Sequence, residues 1–221
     1  MTAENSGSGA PGGLEALLGA YAAGGLAVPL HALVASHLTL CARNRAFVAA
    51  LEHLGAADMT AGEGLPASDR ETRLAAIFAR GAESAAPLRA DPHAVFPAPL
   101  RGLVGFDAED TPWRFVLPGI REYRIPATGA GEAKLYRISA GKRLPAHTHE
   151  GSEITLVLRG AFSDSTGHFA RGDIAIADAE LDHHPVADAG GDCICFAVTD
   201  APLHLTGPVG RWINPLLRSR H

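Results

Sequence analysis

The chain has 221 residues, 47% of them apolar and 19% charged, with a formal net charge of −5. That apolar share excludes wholesale disorder and leaves room for one large domain or two small ones. The acidic balance lacks the electrostatic footprint of a nucleic-acid binder: the first 90 residues hold six Arg, no Lys and eight acidic residues, so no direct nucleic-acid contact is expected.

Residues 1–13 are polar, small and Gly-rich. Without a cationic segment ahead of an apolar one, they read as a disordered tail rather than a secretory signal. No apolar run reaches the roughly 18 residues of a membrane span, so a cytoplasmic chain without membrane contact is expected. The three cysteines, Cys41, Cys193 and Cys195, are too few and too odd in number for a disulfide framework.

From residue 14 to 80 the apolar pattern has helical period. Leu14, Leu17, Leu18 and Tyr21 share one face, and Gly24-Gly25 ends that helix. Pro29 suits the first turn of a second helix, whose face carries Leu30, Leu33, Val34, His37 and Cys41. A third helix over residues 44–53 points Phe47, Val48 and Leu51 inward. Ser68 with Glu71 reads as a capping box, and Leu74, Ile77 and Phe78 form a narrow apolar stripe behind it. Pro87, Pro92, Pro97 and Pro99 then punctuate a stretch that reads as a linker.

Beyond the linker the period becomes two. Strands are expected at 115–117, 133–138, 154–158, 161–163, 173–176, 193–198 and 203–205, separated by Gly, Pro and Asp. The expected order is a tail (1–13), a helical domain (14–85), a linker (86–100) and an all-β domain (101–215). The fold class is thus α+β multidomain, a small N-terminal helical bundle followed by a sandwich or barrel.

The most informative segment runs from Gly141 to Gly160. On an extended strand His147 and His149 present both imidazoles to one side. Glu153 lies four residues on, across a turn at Glu150-Gly151-Ser152, and a hairpin would return its carboxylate to the same face. A fourth ligand is available from His183 or His184. Three imidazoles and a carboxylate suit Zn²⁺ or another first-row divalent ion, with coordination left for water or a substrate.

Gly141, His147, His149, Glu153 and Gly160 together fit G-x5-H-x-H-x3-E-x6-G, which is similar to the first cupin motif without a departure. The second cupin motif is looser: Gly167 and Gly172-Asp173 stand in the turn before a strand, and the histidine arrives about ten residues late. The cupin resemblance implies a double-stranded β-helix barrel around a metal held by His147, His149, Glu153 and His183. His184 is then a neighbour, outside the metal shell or facing solvent. Zn²⁺ is the expected ion, with Fe²⁺, Mn²⁺ and Ni²⁺ as alternatives.

A closer likeness covers roughly residues 14–202. Ala22-Ala23-Gly24, His37-Leu-Thr-Leu-Cys41, Phe162-Ser163-Asp164, Arg171-Gly172-Asp173, Pro185-Val186-Ala187-Asp188, Cys193-Ile194-Cys195 and Thr199-Asp200-Ala201-Pro202 resemble the ChrR family of cupin-bearing zinc anti-sigma factors. The resemblance implies that the helical domain sequesters an extracytoplasmic-function sigma factor. It also implies that the cupin domain senses an oxidative signal, singlet oxygen or organic peroxide. Self-association as a homodimer through the cupin domain is a further partner to consider.

The helical domain departs from that family, which holds zinc through an early histidine and an H-x3-C-x2-C motif. His37 and Cys41 are in place at i, i+4, on one face of a helix, but the second cysteine is replaced by Asn44 and no histidine precedes His31. A closed four-ligand site cannot be built from these residues, so N-terminal zinc is expected to be absent. Either the domain folds on an ordinary apolar core, or His37 and Cys41 form a degenerate site that takes a weak metal with solvent ligands.

Cys193 and Cys195 flank Ile194, so their thiols point to the same side, yet too far apart on an extended strand for an easy disulfide. They read as a redox-sensing pair near the metal or as two small residues on a barrel's core face; the residues alone favour the second. A different class of function also stays open. A three-His, one-Glu site can serve a cupin dioxygenase or another metal-dependent enzyme acting on a small molecule.

Overall fold

A computed structural model describes residues 13–62, 68–79, 91, 93–126, 131–144, 147–149, 151–177, 184–199 and 203–205, with residues 61, 147–149 and 203–205 described by their backbone alone. Helices come first: α1 (Gly13–Ala22), α2 (Val28–Leu40), α3 (Ala42–Ala61), α4 (Arg70–Ala79) and α5 (Ala98–Val104). Strands follow: β1 (Arg114–Leu117), β2 (Ile120–Ile125), β3 (Glu132–Ile138), β4 (His147–His149), β5 (Glu153–Arg159), β6 (Ala161–Asp164), β7 (Gly167–Ala170), β8 (Ile174–Ala177), β9 (Val186–Ala187), β10 (Cys193–Thr199) and β11 (Leu203–Leu205). Helices precede an all-β domain, as the change of period implies.

The largest sheet has six strands in the order β1-β2-β3-β10-β5-β8; β7-β6-β9 form a three-stranded sheet and β11-β4 a two-stranded one. β10 reads CICFAVT, a nearly continuous apolar run, because both of its faces are covered. Ile194 and Phe196 join Leu135, Leu156 and Leu158 in a core shared with Leu17, Leu18, Leu33 and Val34 of the helices. Cys193 and Cys195 turn the other way, into a second cluster with Ile138, Val157, Phe162 and Phe169. The six-stranded sheet is thus sandwiched between a helical layer and the barrel interior. Gly160 turns the corner from β5 to β6 at φ +70°, where a Cβ would stand 2.7 Å from the Asp192 carbonyl oxygen; this explains the glycine that closes the histidine motif.

The expected linker, 86–100, ends inside the fold. Phe96 and Leu100 are fully buried in the helix-facing core, and Asp107 accepts hydrogen bonds from the Val95 and Phe96 amides through its two carboxylate oxygens. Pro97 and Pro99 start α5 rather than prevent structure, since a helix's first turn needs no proline N–H. Residues 86–90 lie outside the described set.

Other differences lie in the helices. α3 runs to Ala61 instead of ending near residue 53. It buries Val48, whereas Phe47 is exposed. The apolar stripe of α4 is exposed as well: Leu74, Ile77 and Phe78 all face outward, and the helix buries no residue. No described helix is long and apolar enough to cross a membrane.

Candidate metal and regulatory site

Glu153 opens β5, where it pairs with Ala177 of β8 and Thr199 of β10. Alternation along the strand puts Glu153, Thr155 and Val157 on the barrel side. Glu153 is buried, at 9% exposure, and its carboxylate accepts a 2.9 Å hydrogen bond from the Thr155 hydroxyl. With Tyr136, Phe162 and Cys195 it lines a cavity whose atom-free volume, open mouth included, is about 580 Å³. The register explains the company: Cys195 lies between Tyr136 on β3 and Val157 on β5.

The cavity is electrostatically negative. Burial first, and then the charge of Glu153, push the Tyr136 phenol well above its ordinary value. Cys195 is also held well above the usual thiol range, first by its hydrogen bond with Cys193, then by burial and by the charges of Cys193 and Glu153. The two sulfurs stand 3.5 Å apart. That is nearer than an extended strand suggests, and it coincides with a bulge at Ile194/Cys195 in the pairing with β5. Both cysteines are free and buried.

His147 and His149 lie two apart on β4, as the motif requires. That strand pairs with β11, Leu205 opposite His147 and Leu203 opposite His149, and not with β5. The expected direct hairpin to Glu153 is therefore replaced by strands in different sheets. The side chains of His147 and His149 are outside the described residues, as is His183; His184 is described and exposed. Asp164 is engaged in the β6–β7 turn, accepting from the amides of Thr166 and Gly167. Trp113 donates its indole N–H to the Ala108 carbonyl.

A buried carboxylate within a largely apolar wall is costly unless a cation or strong donors compensate it. The donor chemistry of Glu153 with the two motif histidines fits a first-row divalent ion.

In the helices, His37 lies in the last turn of α2 and Cys41 is the residue that caps it. Cys41 sits between α2 and α3 in an extended conformation, φ −113° and ψ 99°, after its amide closes the last turn on His37 O. His37 is buried at 3% exposure. Its Nδ1 lies 2.7 Å from the Gly172 carbonyl oxygen and its Nε2 lies 2.8 Å from Asn44 Nδ2. Burial pushes its pKa below the ordinary value, against the upward pull of the Gly172 carbonyl and Asp173. His31 is exposed and stacks on Tyr21 with ring centroids 4.7 Å apart, away from His37. Asn44 is a residue that sequence reasoning noticed only as a missing cysteine. Its signal was polar character at the α2–α3 corner, seven residues from a buried histidine.

A cupin-type barrel that carries its motif carboxylate inside, beneath a helical layer fused ahead of it, defines a cupin protein with an N-terminal helical module. The ChrR Cupin-like domain family model matches residues 102–202. The chain is 45% identical over 208 residues to the anti-sigma-E factor ChrR of Cereibacter sphaeroides, spanning 92% of this chain and 96% of that protein. It also resembles the crystal structure of Rhodobacter sphaeroides SigE in complex with the anti-sigma ChrR, with a TM-score of 0.72 and 45% identity, covering 84% of this chain and 96% of that one. The chain belongs to the ChrR family of anti-sigma factors.

Proposed function

We propose that this chain is a cytoplasmic negative regulator of transcription that sequesters an extracytoplasmic-function sigma factor through a helical domain spanning 14–85. A Pro-rich segment at 86–100, whose last residues enter the core, and a cupin domain at 101–215 complete it. The observation that carries this reading is the likeness to ChrR along 92% of the chain. It is supported by apolar side chains that this chain leaves uncovered: Leu54 and Met59 on α3 and Ile77 and Phe78 on α4 are 62–84% exposed. Exposed apolar side chains on each helix fit a partner of complementary apolar character. The test is gel filtration of the full chain with the sigma factor it is suspected to bind. Co-elution is expected, with loss of the complex on Ile77→Asp and Phe78→Asp; a wild-type chain that forms no complex overturns the reading.

The cupin domain is proposed to hold one ion through His147, His149, Glu153 and His183, with zinc favoured over iron, manganese or nickel. When bound, the ion supplies positive charge to a negative cavity and an open coordination position. The chain's own contribution is a carboxylate fixed by Thr155 and a mostly apolar wall around it. Elemental analysis tests this: one metal per chain is expected, falling sharply with His147→Ala and Glu153→Gln.

This barrel is also proposed to receive an oxidative signal, singlet oxygen or organic peroxide, that frees the sigma factor. Cys193 and Cys195 are the redox pair of that proposal. A peroxide oxidises one thiol to a sulfenic acid and leaves as the alcohol. The second thiol then displaces water to give the disulfide. The raised pKa of Cys195 makes its thiolate scarce, so attack by that sulfur is slow. Mass spectrometry after peroxide treatment reads the outcome; release of the sigma factor with both thiols unmodified removes the pair from the proposal.

A further inference from the structure

The α2–α3 corner has the place of a metal site but not its chemistry. Coordination requires a free lone pair on an imidazole nitrogen, and both nitrogens of His37 are engaged. The Gly172 carbonyl can only accept, so Nδ1 carries the proton and donates across 2.7 Å. Nε2 then holds the lone pair, and the Asn44 amide donates into it at 2.8 Å. One neutral tautomer satisfies both contacts, and no lone pair remains for an ion. Cys41, extended at the corner, is left as a lone thiol among the described residues there, too few ligands to close a site.

The corner is closed by other means. Arg45 Nη1 donates to the Leu38 carbonyl at 2.7 Å, and the Arg45 amide donates to Cys41 O at 3.1 Å. The second partner of the His37 ring comes from outside the helices. Gly172 lies in the turn between β7 and β8 at φ +96°, and a Cβ there would stand 3.3 Å from Leu40 Cβ. The turn thus approaches α2 about as closely as glycine allows. Its amide donates to Val157 O, and the Val157 amide donates to Asp173 O. The same turn is therefore fastened to β5, the strand of Glu153.

We propose that His37, Asn44 and the Gly172 carbonyl form a metal-independent clasp, in the place where the family resemblance implies zinc, and that it fastens the α2–α3 corner to the barrel. A metal would tie the helices only to each other. This clasp joins three elements, so the helical layer and the β-domain are held together in the resting chain. It differs from the proposed sigma binding in that none of its readouts involves a partner.

The test uses the full chain with ¹⁵N-labelled histidine and the substitutions His147→Ala and His149→Ala, which remove the barrel ligands. Spectra and thermal unfolding are recorded with and without one equivalent of Zn²⁺. The expected result is a slowly exchanging proton on His37 Nδ1, an unprotonated Nε2, and no change in either signal or in Tm on adding zinc. Asn44→Ala is expected to lower Tm by roughly 2–8 °C, equally with and without zinc, and to move the Nε2 signal. If the double variant folds poorly, the chelator-treated chain with both histidines intact is read by its His37 signals alone, because zinc in the barrel would move its Tm. Zinc-dependent movement of the His37 signals that Cys41→Ser abolishes would overturn the proposal. So would an Asn44→Ala chain with unaltered Tm and His37 signals.

Discussion

α2 and α4 look alike as sequence and differ completely as structure. Each carries apolar residues at helical spacing, yet α2 buries Ala32, Leu33, Val34 and Leu38 against the sheet and α5, while α4 buries nothing. The difference is one of partners. α2 lies over β10, whose Ile194 and Phe196 complete its core, whereas Leu74, Ile77 and Phe78 of α4 face solvent. An apolar stripe therefore marks where a surface belongs, and only its neighbours decide whether the cover is this chain or another.

The contrast can be broken first at its strongest point. Leu33→Ala removes a fully buried side chain of α2 and is expected to cost about 2–5 kcal/mol in denaturant unfolding, the range of buried leucine truncations. An effect under about 1 kcal/mol would mean that the helical layer is not part of the core. Gly160→Ala comes next, at about 1–3 kcal/mol, because it forces a side chain into a left-handed corner against the Asp192 carbonyl. The same unfolding assay reads it, and a neutral outcome would show that the β5–β6 corner relaxes freely.

A smaller, pH-dependent effect belongs to His37. Its folded pKa is lowered, so below the ordinary value of 6.5 the unfolded chain takes up a proton that the folded chain still refuses. Stability from this group is complete above that value and is lost as pH falls toward the lowered folded pKa. Unfolding at pH 7.5 and 5.5 should show a larger loss for the wild-type chain than for His37→Gln; equal losses would place the titration elsewhere. The smallest effect is expected at Leu74→Ala and Ile77→Ala, within about 0.5 kcal/mol, since both side chains lie on the surface and neither belongs to a core cluster. A loss comparable to that of Leu33→Ala would show that α4 packs on this chain after all.

The sequence by itself determined the order of architecture. A helical period that changes to a period of two near residue 110 is local information, as are the turn glycines and the spacing of His147, His149 and Glu153. β3, β5 and β10 were legible because alternating or continuous apolar runs report burial directly. β2 was missed because IREYRI spreads three charges over six residues, and β7 because GHFA follows a turn with no apolar run.

Tertiary structure decided the rest. That His37 bonds to Gly172, 135 residues away, depends on how a turn meets a helix. That Asn44 faces His37 depends on the chain leaving the helix at Cys41. Phe96 and Leu100 enter the core because the sheet offers an apolar face to cover, which no proline count reveals. Periodicity reports what each segment would bury; long-range packing, which sums over both partners, settles what each segment actually meets.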